Sequence, residues 1–167
     1  MHYRIAVLAA PLLLAVVSIA CAETITVPAE VPFAAGIDVT EAVRNECTLQ
    51  TRLPKFIVDG AERGVDVVIG DTAAENASGK VLQLEFTNIL GFGGGAWSGP
   101  KSVTVTGKLY ENGQLIGNFV ASRYSTGGAF GGFKGTCSIL GRCIETLGID
   151  IGRWLKGPTM DARLGNA

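Results

Sequence analysis

Between Lys80 and Tyr124 the chain runs three times through an alternation of apolar and polar residues, and this pattern limits the fold more than any other feature of the sequence. Leu82, Leu84 and Phe86 fall on one side of an extended chain, and Gln83, Glu85 and Thr87 on the other. Val103, Val105 and Leu109 alternate in the same way with Thr104, Thr106 and Lys108. Asn112-Gly113 follows, and both residue types accept the positive φ angles of a two-residue type I′ hairpin. A returning strand from Gln114 to Tyr124 completes an antiparallel meander with one apolar and one wet face.

The apolar face of such a sheet needs a covering layer. Leu140, Ile144, Leu147, Ile151, Trp154 and Leu155 recur at spacings of three and four, which predicts a final helix stopped by Gly157-Pro158. Thr40 suits the N-cap of a helical segment from Glu41 onward, and Leu49, Leu53, Phe56 and Ile57 continue at helical spacing. Pro54 predicts a break or fresh start near Thr51, with Gly60 and Gly64 marking the end. Thr24 to Val27 reads as a short strand closed off by Pro28 and Pro32, Val65 to Ile69 as a buried strand, and Asp71 to Gly79 as a loop. The expected fold class is α+β: a largely antiparallel sheet with a three-strand meander, and two main helices packed on one face.

Ahead of these elements stand a short basic start at His2 and Arg4, an apolar run from Ile5 to Ile19, and Ala20-Cys21-Ala22 before Glu23. That order of parts is a secretory signal, and cleavage after Ala22 is the first choice. The run is shorter than the roughly 20 residues that a bilayer-crossing helix needs. Lipid attachment at Cys21 is the alternative, although Ser18 stands where lipoprotein signals usually carry Leu. Residues 1–22 are thus expected to be a signal peptide, 23–158 a single α+β domain, and 159–167 a flexible C-terminal tail. The expected location is periplasmic or extracellular, with no membrane span.

Export removes chemistry as well as residues. His2 is the one histidine, so the processed chain has no imidazole to activate a nucleophile or to ligate zinc. No metal site, cofactor or catalytic residue is expected. Thirteen basic against fifteen acidic residues leave a net charge of −2 after processing, without the basic excess that nucleic acid requires. The carboxylates, among them Glu46, Asp59, Glu62, Asp66, Glu85, Glu145 and Asp150, show no spacing that pairs them for acid–base work.

Three cysteines remain after processing, and in an oxidising compartment two of them should pair. Cys137 with Cys143 is the first pairing, on one condition. Inside a single helix they would stand about 9 Å apart along the axis, beyond the roughly 7 Å reach of a bridge, so the helix must begin between Ser138 and Arg142. The alternative pairs Cys47 with one of them, and without a bridge Cys47 reads as a small buried apolar residue.

Two Gly/aromatic segments remain. In 91–100, Gly91, Gly93 and Ala96 match the spacing of a dinucleotide loop, but Pro100 and a β-branched run follow where that loop needs a helix. In 127–136, Gly135 separates Lys134 from Thr136 and so interrupts the triplet of a phosphate loop. There the glycines allow a sharp strand-to-helix connection, with Phe130 and Phe133 filling the core and Thr136 or Ser138 capping. Antiparallel order brings the exits of the first and third meander strands to one end of the sheet. If the chain has a binding site, it is expected at that end, with Trp97, Phe130, Phe133 and Lys134 as its residues; the other reading of Trp97 is packing over the sheet edge.

The stretch Trp97-Ser98-Gly99-Pro100, the run from Gly127 to Cys143 and the ending Asp150, Ile151, Trp154, Leu155 and Lys156 together resemble a group of small exported bacterial proteins of unknown function. These pair a WSGP loop with a GGxFGGFKGTCSxLGRC segment. More distantly, the layout is similar to α/β domains of envelope assembly lipoproteins. The resemblance implies location and fold without a reaction. The functional expectation is a non-enzymatic periplasmic or cell-envelope module that binds an envelope protein or cell-wall component. A histidine-free carboxylate-based hydrolase and a small-ligand carrier stand as alternatives.

Overall fold

The structure is a computed structural model that describes residues 23–70, 79–91, 100–126 and 134–167. In chain order its elements are β1 (Glu23–Val27), α1 (Glu41–Glu46), α2 (Leu49–Gly60), β2 (Val65–Ile69), β3 (Lys80–Leu90), β4 (Lys101–Glu111), β5 (Gln114–Ser125), α3 (Thr136–Trp154) and β6 (Ala162–Gly165). The fold is α+β, and the strands form one sheet in the order β2-β1-β3-β4-β5-β6. The expected meander is its centre: β3, β4 and β5 pair antiparallel, and Asn112 (φ 49°) and Gly113 (φ 82°) make the hairpin turn. Short parallel pairings flank it, β1 with both β2 and β3, and β6 with β5, so the sheet is mixed.

Alternation decides what each strand buries. Leu82, Leu84 and Phe86 of β3, Val103, Val105 and Leu109 of β4, and Phe119 and Ala121 of β5 form one core with Leu49, Leu53 and Ile57 of α2 and the apolar stripe of α3. A bulge between Phe86 and Asn88 shifts the phase, so Ile89 rather than Asn88 is buried at the end of β3. Phe119 lies across from Gly107, whose missing side chain leaves room for its ring. That ring meets Trp154 edge-on, centroids 4.9 Å apart.

The two long helices pack through glycine. A methyl group on Gly148 would run into the main chain of Phe56 and Ile57, and one on Gly60 would stand 2.5 Å from Ile149 Cα. Small residues here let the backbones of α2 and α3 approach closely.

Five expectations need correction. The break expected near Thr51 falls slightly earlier: α1 ends at Glu46, Thr48 turns the chain with φ 50°, and α2 starts afresh at Leu49, which leaves Pro54 inside it rather than in its first turn. Pro54 is tolerated because the Gln50 carbonyl, which its ring nitrogen cannot serve, accepts the Val31 N–H at 3.1 Å. Secondly, β2 is an edge strand with only Val67 buried, since nothing among the described residues pairs with its far side. Thirdly, the loose tail contains β6. Asn118 holds it there, donating to the Asp161 carboxylate at 3.0 Å and accepting from the Asp161 N–H at 2.6 Å.

The fourth correction is the disulfide. α3 begins at Thr136, so Cys137 and Cys143 share one helix and cannot meet; Cys137 in its first turn pairs instead with Cys47 at the end of α1, Cα atoms 4.8 Å apart. Cys143 is free and buried. Finally, the cap of α3 is Gly135, with no side-chain bond, and Ser138 and Ile139 donate to its carbonyl.

Candidate binding surface

Trp97, Phe130 and Phe133 lie outside the described residues, as do most of the two Gly/aromatic segments that hold them. The described residues bounding those segments sit at one end of the sheet. Leu90 pairs with Ser102 and Lys101 with Ser125, so β3, β4 and β5 all have a terminus there. Lys134 stands half-buried just ahead of α3. Gly91 packs against Val43 of α1 and against Leu140 and Thr136 of α3, which closes the inner side of that end.

Lys101 was missed by the sequence reading. It shares its face of β4 with Val103 and Val105 and is 0% exposed, which makes it the one buried charged residue among those described. Burial pushes its ammonium below the usual lysine range. The clue was its odd-numbered position in the apolar phase of the strand.

α1, α2 and α3 all lie on the apolar face, and among the described residues no helix covers the other. Thr24 and Thr26 of β1, Gln83 and Glu85 of β3, Ser102, Thr104, Thr106 and Lys108 of β4, and Ser122 and Tyr124 of β5 alternate with the core residues and occupy this outer face. Thr24 donates to Asp66 across β1 and β2, and Thr104 shares a hydrogen bond with Ser122 across β4 and β5. Apolar-bodied residues interrupt the hydroxyls, among them Val68, 40% exposed, Val120, 39% exposed, and Tyr124, 63% exposed and opposite Ser102. Tyr124 thus stands at the end of the sheet from which both Gly/aromatic segments depart.

Farther along this face lies an open cleft of about 400 Å³. Its walls are Pro28 and Pro32, and Gln83 and Glu85 of β3 lie within it beside Thr106 and Lys108 of β4. Cross-strand pairing sets their positions, with Gln83 opposite Lys108 and Glu85 opposite Thr106. Among the described residues, Glu85 is the one carboxylate of the lining. Two other described carboxylates are engaged elsewhere: Asp150 accepts from Arg123 at 2.7 Å, and Glu62 from Lys156 at 2.7 Å. Among the described residues no group of His, Cys, Asp and Glu is placed to hold a metal ion. No described helix is long and apolar enough to cross a membrane.

No protein-family model matches the chain, and no curated protein matches it. Solved structures do. One, described as an uncharacterized protein, superposes with a TM-score of 0.53 at 12% identity over 80% of this chain and 92% of that one. The PelC dodecamer from Paraburkholderia phytofirmans gives 0.45 at 18% identity over 76% and 86%. A minor lipoprotein from Acinetobacter baumannii gives 0.40 at 15% over 80% and 90%. At such identities likeness shows fold alone, and the first of these shows that the layout of strands and helices recurs.

Proposed function

We propose that the chain works outside the cytoplasm, freed of its leader, as a non-enzymatic module that binds an envelope protein or cell-wall component with the outer face of its sheet. One observation carries the reading: helices cover the sheet on one side, while the other side bears an open cleft and the exposed Tyr124 among hydroxyls. The disulfide between Cys47 and Cys137 suits an oxidising compartment and so supports export. Trp97, Phe130, Phe133 and Lys134 belong to the same proposal, because their segments leave the sheet at the Tyr124 end. A carboxylate-based hydrolase would place a second carboxylate opposite Glu85, and a carrier would enclose its ligand; among the described residues the cleft has one carboxylate, and it opens to solvent.

The test is affinity capture from the cell-envelope extract of the producing cells, comparing the parent protein with Tyr124→Ala and Thr106→Arg. Both side chains point away from the core, so both variants should keep the parent's circular dichroism and melting temperature. Each should reduce the captured partner at least tenfold. Capture unchanged in both would remove the outer face as the binding surface.

A further inference from the structure

The cleft owes its shape to a detour of the chain between β1 and β3. Thr26 lies opposite Val81 and Phe33 opposite Phe86, so residues 27–32 of the incoming chain face the shorter stretch 82–85. The excess is taken up where Val31 turns beneath α2, fully buried, and bonds to Gln50. Among the described residues, β3 has no neighbouring strand on that side over that stretch, while β4 pairs with it on the other.

Main-chain groups of a strand point alternately to its two sides. On the detour side Phe86 donates to Pro32 and accepts from Ala34, both at 2.9 Å, so Leu84 presents its N–H and C=O to the same side. If the parallel ladder continued from β1, Pro28 would be the donor to the Leu82 carbonyl, and it has no N–H to give. Among the described residues, no main-chain hydrogen bond from 28–31 reaches Leu84. Leu82 and Leu84 line the cleft although their side chains belong to the core, so it is their main chain that faces it.

The geometry points to a saccharide unit as the ligand of this cleft. The site offers acceptors in the Leu84 carbonyl and the Glu85 carboxylate, donors in the Leu84 N–H and Lys108, and groups that do both in Gln83 and Thr106. Sugar hydroxyls donate and accept from a single atom, which matches such a mixture. An extended peptide fits poorly, because the open stretch of β3 is blocked by β1 at one end and by the Phe33 bridge at the other. The volume lies within the range of small-ligand sites. This inference rests on the reading of the outer face as the binding surface and names what that surface takes.

Its test is an NMR titration of the purified protein with N-acetylglucosamine and with glucose, and separately with N-acetylalanine methylamide as a peptide mimic. At about 50 mM sugar, well above a millimolar dissociation constant, the amide resonances of Leu84, Glu85 and Lys108 should move with at least one sugar and stay with the peptide mimic. Thr106→Arg, which fills the cleft, should abolish the movement; Gln83→Ala, a smaller change on the same face, should weaken binding several-fold with the fold intact. Resonances that stay still with both sugars, or a response only to the peptide mimic, would overturn the saccharide assignment. If Thr106→Arg still abolished capture of an envelope partner in that case, the outer-face reading would stand; if capture survived as well, both would fall.

Discussion

Val31 gives its main-chain N–H to the carbonyl of Gln50 at 3.1 Å, and so completes a helix that Pro54 leaves one donor short. A proline in a helix interior ordinarily costs about 3 kcal/mol, in part because the carbonyl four residues back loses its partner. Here that partner is supplied from the loop after β1. Pro54→Ala should therefore change the unfolding free energy by less than about 1 kcal/mol in urea titrations. A gain near the full 3 kcal/mol would show that the Val31 bond does not offset the loss.

The disulfide closes a loop of sequence separation 90 between α1 and α3. Chain-entropy arguments put the stabilisation from a loop of that length at roughly 4.6 kcal/mol. Cys137→Ser should lower stability by about that amount. In the parent protein, alkylation after unfolding without reductant should modify Cys143 and leave Cys47 and Cys137 unmodified. In the folded protein Cys143 should react slowly, because burial both hides the thiol and pushes its pKa up, and the thiolate is the reacting form. Peptide mapping that found Cys143 disulfide-bonded would contradict the pairing.

Local interactions leave their mark in the sequence, and distant ones do not. Leu82, Leu84, Phe86, Val103 and Val105 announced the meander because burial on one face writes a period of two directly into the sequence, and Asn112-Gly113 carries its own turn chemistry. β6 was invisible for the opposite reason. Its register depends on Asn118, 43 residues before Asp161, and nothing in Ala162-Arg163-Leu164-Gly165 signals that partner. The disulfide was decided by the start of α3 at Thr136, and a helix start after a glycine cap lacks the Ser, Thr, Asn or Asp signal that locates one in sequence. At the candidate site the wet positions Gln83, Glu85, Thr106 and Lys108 were legible. The cleft around them was not, because it depends on the detour between Thr26 and Phe33.

Close approach of α2 and α3 makes Gly148 a sensitive position. Alanine would improve helix propensity by about 1 kcal/mol, yet its methyl group would strike the main chain of Phe56 and Ile57, which cannot swing aside as a side chain can. Overpacking of this kind costs about 1–3 kcal/mol, so Gly148→Ala should be destabilising on balance and should lower the melting temperature. A raised melting temperature would mean that the helices separate without penalty.

Lys156 and Glu62 link the end of α3 to the turn after α2 at 2.7 Å, and their titration tests that contact. The hydrogen bond from Lys156, then its charge, hold the Glu62 carboxyl below its ordinary value against a small opposing effect of burial, and Arg153 adds to the lowering. A carboxyl lowered on folding contributes stability that is fully present above its unfolded value near 4.3 and is lost as the pH falls through the folded value. Both side chains are exposed, so the contribution is screened by salt. Lys156→Met should raise the Glu62 midpoint followed by NMR toward the ordinary value. At about 1 M salt, where screening acts within roughly 3 Å, the parent midpoint should move in the same direction while the variant changes little. A Glu62 midpoint that did not respond to Lys156→Met would show that the pair does not form in solution.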